Sequence, residues 1–253
     1  TNSITANQHL CIGDVPAVLS GSLPTGGNGT YTYQWQSSPT GAGSWTDIAG
    51  ATAQNYDPVS YTTNTDFRRV VSSGPCDSIS PKVTVIYNSN PSYTSVTAND
   101  ISCYDADDGS ISILALNTDS FSIDNGATYS FSGSFTNLTP GFYNVVIKNT
   151  NDCSLAYVVN PVEIKEPLEI SFTTMLVHPS CSNTTNGSIT INATNGVGTL
   201  NYSLNGGATQ TGNTFSTLNA GTYTILVSDA NNCTDTGSVT LNDIYTLALN
   251  VDS

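Results

Sequence analysis

The feature that most constrains this chain is an internal repeat. Cys103-Tyr-Asp-Ala-Asp-Asp-Gly109-Ser-Ile-Ser-Ile113 and Cys181-Ser-Asn-Thr-Thr-Asn-Gly187-Ser-Ile-Thr-Ile191 share a C-x5-G-S-I-x-I pattern displaced by 78 positions. The match continues downstream at a displacement of 80. Phe135-Thr-Asn-Leu138-Thr-Pro-Gly141-Phe-Tyr143 aligns with Phe215-Ser-Thr-Leu218-Asn-Ala-Gly221-Thr-Tyr223, and Asn151-Asp-Cys153 aligns with Asn231-Asn-Cys233. Two copies of one unit of about 80 residues therefore follow one another, a size that suits a small domain.

Each copy reads as short strands separated by turns. Tyr143, Val145 and Ile147 alternate with other residues, as do Tyr223, Ile225 and Val227, the period-2 pattern of a half-buried strand. Asp124-Asn125-Gly126 and Asn205-Gly206-Gly207 supply residues that tolerate positive φ between apolar runs, which predicts hairpins. No segment sustains a 3.6-residue period, and strands spaced by roughly 8 to 12 residues point to sandwiches. The first 88 residues are of the same class: Tyr31, Tyr33 and Trp35 alternate with Thr32, Gln34 and Gln36, and Phe67–Val71 and Val83–Tyr87 supply later strands. Cys11, Trp35 and Cys76 follow the Cys, Trp, Cys order of an Ig-like domain.

The expected architecture is an all-β tandem array of Ig-like, Greek-key β-sandwich domains. Residues 1–88 form an Ig-like sandwich, 89–166 and 167–243 the two repeats, and 244–253 (IYTLALNVDS) the first strand of a truncated following repeat. Asn88-Ser-Asn-Pro91 and Glu166-Pro167 read as short, stiff joints. The six cysteines allow fifteen pairings, and the repeats select one with a single bridge inside each domain: Cys11 with Cys76, Cys103 with Cys153, and Cys181 with Cys233. Such bridges imply an oxidising compartment and strengthen domains too small to bury a large core.

Five Lys and Arg stand against nineteen Asp and Glu, for a formal charge of -14. That balance argues against nucleic acid and anionic lipid, which are bound through clustered cations. No apolar run approaches the ~20 residues of a membrane span, and the opening TNSITANQHLC lacks the regions of a signal peptide, so a chain cut from something larger is expected. Catalysis needs a base, a nucleophile and an orienting group in one place, and the inventory here is thin. Of the two histidines, His9 and His178, neither sits in a motif, and His178 aligns with Asp100. An enzyme is not expected.

Alternating carboxylates before a glycine at Asp105, Asp107 and Asp108 suit calcium, and a Cys103–Cys153 bridge would add Asp152 as a fourth oxygen donor. No other cofactor is called for. Among the aromatics, Tyr31, Tyr33 and Trp35 share one strand face and read as core, leaving Trp45 as the candidate ligand platform. Asn-x-Ser/Thr triplets at Asn28, Asn137, Asn183, Asn192 and Asn201 mark surface positions.

The two copies resemble the SprB-type repeats of giant gliding-motility adhesins of surface-gliding bacteria. The residues that carry the likeness are the C-x5-G-S-I-x-I openings at Cys103 and Cys181, the Gly-Phe-Tyr143 and Gly-Thr-Tyr223 strand starts, and the Asn-x-Cys endings at Cys153 and Cys233. The first domain is similar, around Tyr-Gln-Trp35-Gln-Ser-Ser and Phe67-Arg-Arg-Val-Val-Ser-Ser, to Ig-like modules of surface proteins from the same bacterial group. The resemblance implies display on the outer cell surface and a non-catalytic stalk within a filament that attaches to substrata and is moved by a motor. The partners expected are neighbouring repeats of the same chain and an extracellular polysaccharide or substratum. A glycan- or protein-binding module and an accessory domain of a secreted enzyme are the competing expectations.

Overall fold

A computed structural model describes residues 1–59 and 61–245, so most of the strand expected over 244–253 lies outside the described residues. The described chain is all-β: β1 (Gln8–Cys11), β2 (Thr32–Pro39), β3 (Thr46–Asp47), β4 (Thr65–Ser73), β5 (Cys76–Ile79), β6 (Val83–Asn88), β7 (Ser92–Asn99), β8 (Gly109–Leu116), β9 (Ser120–Ser122) and β10 (Ser134–Leu138). There follow β11 (Gly141–Tyr143), β12 (Val146–Lys148), β13 (Ser154–Ala156), β14 (Val162–Ile164), β15 (Ser171–Val177), β16 (Gly187–Thr194), β17 (Asn201–Leu204), β18 (Thr214–Leu218), β19 (Gly221–Ser228) and β20 (Thr234–Leu241). The chain divides into two compact units. The first comprises residues 1–96, 113–133 and 144–160; the second comprises 97–112, 134–143 and 161 onward. The repeat read from the sequence as 89–166 thus contributes to both.

In the first unit, β1, β6, β4, β2 and β3 lie side by side in one sheet, with β5 paired to β4. β1 runs parallel to β6, which places Cys11 opposite Asn88. Of the three aromatics expected on one core face, only Trp35 is in the core, fully buried and packed with Leu19, Phe67, Val83, Val85 and Tyr87; Tyr33 is half-buried beside the Arg69 guanidinium, and Tyr31, also half-buried, precedes β2. The Trp35 ring packs against Tyr56, and its indole N–H donates to the Ala53 carbonyl at 3.1 Å. The portion of the middle repeat in this unit buries Ile113, Val145 and Ile147.

The last repeat lies wholly in the second unit. Sheets β15-β16-β18 and β17-β19-β20 enclose Ile189 and Ile191 from one side and Tyr202, Ile225, Val227 and Leu241 from the other. The Asn-Gly hairpin forms as its residues require, with Asn205 at φ 50° and Gly206 at φ 68°. Tyr223 donates its hydroxyl to the Asn219 carbonyl at 2.9 Å, and Tyr143 does the same to Thr139 at 2.8 Å, the corner bond typical of Ig-like sandwiches. One expected strand is interrupted. Tyr223, Ile225 and Val227 share the unbroken β19, whereas Tyr143 falls in β11 and Ile147 in β12. At the break, the Asn160 side-chain amide replaces a neighbouring strand, accepting from Val145 N–H at 2.9 Å and donating to Val145 C=O at 2.8 Å.

The glycine of the C-x5-G motif has a steric reason. A Cβ at Gly109 would lie 2.8 Å from the Leu138 carbonyl oxygen, and one at Gly187 would lie 2.9 Å from that of Leu218. At the same place the register slips between Phe135 and Leu138 and between Gly187 and Ile189, a bulge that turns Asn137 to φ 56° and Thr217 to φ 59°. Asn tolerates this left-handed conformation, and a β-branched Thr resists it. Thr217→Asn is therefore expected to stabilise the last repeat by about 1 kcal/mol, read as a higher calorimetric midpoint. A lowered midpoint would contradict this account of the bulge.

Candidate functional site: the staggered cystines

The structure overturns the expected disulfide pairing. Cys11 is bonded to Cys153 and Cys103 to Cys233, at sequence separations of 142 and 130, while Cys76 and Cys181 are free and exposed. The expectation of one bridge inside each domain fails in all three domains. Strand geometry gives the reason. Cys11 lies opposite Asn88, at the end of β6 beside which β4 begins, because Thr65 pairs with Val85; Cys76 lies where β4 ends, opposite Ser73. A nine-residue strand separates them, on the order of 25 Å at the usual rise, whereas bridged Cα atoms lie within about 7 Å. The last repeat repeats the arrangement. Cys181 bridges in parallel to Tyr245, beyond the end of β20, and Cys233 immediately precedes its start. Both pairs sit at opposite ends of their own sheet, so each bonded cysteine finds its partner in an adjacent module.

The cysteines that open a domain share a turn. The carbonyls of Cys11, Cys103 and Cys181 accept from the backbone N–H of Asp14, Ala106 and Thr184 at 3.0, 3.1 and 3.1 Å. Just before the cysteine, Ser102 N–H donates to Asp108 Oδ1 at 2.8 Å and its hydroxyl donates to Oδ2 at 2.5 Å. In the next copy Ser180 N–H donates to Asn186 Oδ1 at 3.0 Å, and the Asn186 amide returns a bond to the Ser180 hydroxyl. The hydroxyl and backbone bonds from Ser102 hold the Asp108 carboxyl below its ordinary pKa.

The closing cysteines are built just as locally. Asn149 Oδ1 accepts from Asn151 N–H and Cys153 N–H, and Asp229 Oδ1 accepts from Asn231 N–H and Cys233 N–H, so one side chain folds each Asn-x-Cys turn. The Asn231 amide then donates to the Ser102 carbonyl at 3.0 Å, beside the Cys103–Cys233 bond. At the other bridge the Asn149 amide donates to Ser89 C=O at 2.9 Å.

The calcium residues are not gathered. Only a Cys103–Cys153 bond would carry Asp152 to the acidic loop. Cys153 is bonded to Cys11 instead, and Asp152 pairs with Lys148 at 3.2 Å. Asp108 is engaged by Ser102, and the Asp105 backbone N–H donates to Glu166 at 2.7 Å. Asp105 and Asp107 adopt positive φ as turn residues, and among the described residues no group of three or more His, Cys, Asp or Glu side chains is placed to hold a metal ion. Adding calcium or a chelator is accordingly expected to leave the thermal midpoint unchanged; a calcium-dependent rise would restore the acidic loop as a site.

Trp45 is half-buried with the Arg68 guanidinium 4.3 Å above its ring, and Gln36 accepts from Arg68 Nε at 2.6 Å. One face of the only ligand platform expected from the sequence is thus already covered by an arginine. His178 has a structural role: its Nδ1 accepts from Asn242 N–H at 3.0 Å, as Asp100 accepts from Lys165 N–H at 2.8 Å in the preceding copy. The sequence signal was the shared 78-position displacement, since two acceptors of different chemistry occupy one aligned position. His9 lies exposed in β1.

Comparison with known proteins gives two matches to family models. Residues 1–89 match a domain of unknown function, DUF8696, and residues 173–209 match the SprB repeat. No curated protein matches the chain. Among solved structures, the C-terminal 282-residue fragment of intimin, determined in complex with the intimin-binding domain of its translocated receptor, is similar at 16% identity and a TM-score of 0.38. That likeness covers 60% of this chain and 64% of the fragment, so the chain spans less than two thirds of it. SGBP-B of a Bacteroides ovatus mixed-linkage glucan utilisation locus, in complex with a mixed-linkage heptasaccharide, is similar at 12% identity and a TM-score of 0.26, covering 95% of this chain and 67% of that one. The eight N-terminal Ig domains of Down Syndrome Cell Adhesion Molecule are similar at 12% identity and a TM-score of 0.24, covering 96% and 36%. SprB-repeat proteins are cell-surface proteins, a setting that the two cystines fit, and residues 173–209 of this all-β chain are similar to that repeat.

Proposed function

We propose that the chain is a non-catalytic stalk segment of a large bacterial cell-surface adhesin that serves surface attachment and gliding. The observation that carries this reading is the staggered cystine pattern, in which the opening cysteine of one module is bonded to the closing cysteine of the next. A module held only by its own core unfolds and pays out its length under tension. Modules tied covalently to their neighbours transmit load through the bridges and limit how far the chain can lengthen. The SprB-repeat match at 173–209 supports the placement on a cell surface and in gliding. The turn side chains around the bridges serve geometry, with the aspartates and asparagines beside the cysteines bonded to backbone amides.

The test is made on cells of the source bacterium. Antibody raised against the chain is expected to label intact cells. Replacing both Cys11 and Cys103 by Ser in the chromosomal copy is expected to lower retention under flow several-fold while leaving deposition in still medium unchanged. Absence of surface labelling, or unchanged retention under flow at equal surface amounts, would remove the stalk reading.

A further inference from the structure

We infer that Cys181 is the attachment point of a third rung: its thiol is placed to bond the closing cysteine, in an Asn-x-Cys turn, of a further repeat joined on its C-terminal side. The ground is ligation at equivalent positions. Cys103, which aligns with Cys181 in the C-x5-G motif, is bonded to the closing Cys233 of the following repeat. Cys11, which begins the same four-residue turn, is bonded to the closing Cys153 of the module after it. Two opening cysteines obey one rule, and the third is free and exposed.

An independent observation is the strand that leaves each module. Next to Cys11, β6 exits in parallel, and Ile12 N–H donates to Asn88 C=O at 3.0 Å. Before Cys103, Ile101 N–H donates to Lys165 C=O at 2.9 Å as the chain passes toward Glu166-Pro167. At Cys181 the exit is in place as well: Tyr245 bridges to Cys181 in parallel, and Ile244 N–H donates to Pro179 C=O at 3.0 Å. Whatever module continues from this exit therefore begins beside the free thiol, as the bonded modules begin beside Cys11 and Cys103. Cys76 has the opposite character. It follows the β4 strand and a tight turn and opens β5, as Cys233 follows β19 and precedes β20, so it is a closing cysteine and has no claim on a C-terminal neighbour.

The bond forms by two thiol–disulfide exchanges. The Cys181 thiolate attacks a disulfide oxidant such as glutathione disulfide, giving a mixed disulfide and one glutathione thiolate. The closing cysteine's thiolate then displaces the second glutathione. The two protein thiols lose two protons and two electrons in all, and glutathione disulfide is reduced to two thiols.

The test extends the full chain after Ser253 with a copy of residues 177–243, so that 244–253 take the sequence place of 167–176, with the copy's own opening cysteine replaced by Ser. A second version joins a complete copy of 167–243 directly after Asp243, carrying the same replacement. Both are refolded in a glutathione redox buffer, alkylated and mapped by non-reducing peptide analysis, and protease resistance of the added repeat identifies the version that folds. The expected result in that version is a bond from Cys181 to the added closing cysteine, with Cys11–Cys153 and Cys103–Cys233 retained and Cys76 alkylated. An alkylated Cys181, or an added cysteine bonded to Cys76, overturns the inference. The stalk reading stands or falls separately, on flow retention.

Discussion

Stretched to full extension after unfolding, the oxidised chain is expected to present only about 50 residues between Cys11 and Cys233, a contour of roughly 170 Å at ~3.5 Å per residue. The reason is the overlap of the two covalent loops. Load entering at Cys11 crosses to Cys153, returns along the backbone to Cys103, and crosses to Cys233. Each crossing adds only the 5.5 Å between bridged Cα atoms. After reduction the same interval is about 220 residues of free chain, close to 780 Å, so single-molecule stretching should find a difference of about 600 Å. The Cys76→Ser variant separates this pattern from bridges confined to single domains. With staggered bridges it leaves the oxidised length unchanged, whereas a Cys11–Cys76 bond, once lost, would raise it to about 120 residues, near 400 Å. A lengthened Cys76→Ser chain would therefore refute the stagger. The long loops also bear on stability: closures of 142 and 130 residues each correspond to about 5 kcal/mol in the chain-entropy model, with the second worth less once the first has restricted the shared segment.

Arg69→Met is expected to destabilise the first module by about 3 kcal/mol, the next largest effect. Arg69 is fully buried in β4, and among the described residues no carboxylate pairs with it. Its guanidinium is satisfied by neutral acceptors: Nε and Nη2 donate to Asn2 Oδ1 at 3.1 and 2.8 Å, Nη2 to Ser22 C=O at 2.8 Å, and Nη1 to Gln54 C=O at 2.8 Å. The cation also lies 5.1 Å from the centre of the Tyr33 ring. Burial lowers its pKa, which marks the desolvation that these bonds offset. Methionine keeps much of the bulk but leaves three part-buried acceptors without their donor, while the Asn2 amide keeps its bonds to the Arg69 and Ser78 carbonyls. Lysine lacks the planar fork and is expected to recover less than half of the loss. Urea unfolding followed by tryptophan fluorescence isolates this module, because Trp35 and Trp45 are the two tryptophans of the chain. A loss below about 1 kcal/mol would mean that the fork is not what holds these segments together.

Much of this architecture was legible in the residues. The Tyr33 and Trp35 alternation located the strand β2, of which Trp35 enters the core while Tyr33 stays half-buried, and Asn205-Gly206 located a hairpin through its need for positive φ. Arg69 carried no such signal, since an arginine in Phe67-Arg-Arg-Val-Val reads as a solvated face until the loops that bring Asn2, Ser22 and Gln54 over it are known. The acidic loop misled for a related reason. Asp105, Asp107 and Asp108 have the spacing of cation ligands, but side chains that serve a turn have the same spacing, and only their partners distinguish the two.

The cysteines show the division most clearly. Repeat alignment established that Cys103 and Cys181 are equivalent and that Cys153 and Cys233 are equivalent, and the period-2 alternation gave the all-β class. Which cysteines are bonded was decided by tertiary structure, because bonding depends on the end of the sheet at which each thiol emerges. An eight-residue strand such as β20 carries the chain from one end of its module to the other, and that length separates the two cysteines of a domain while bringing each opening cysteine to the closing cysteine of the next.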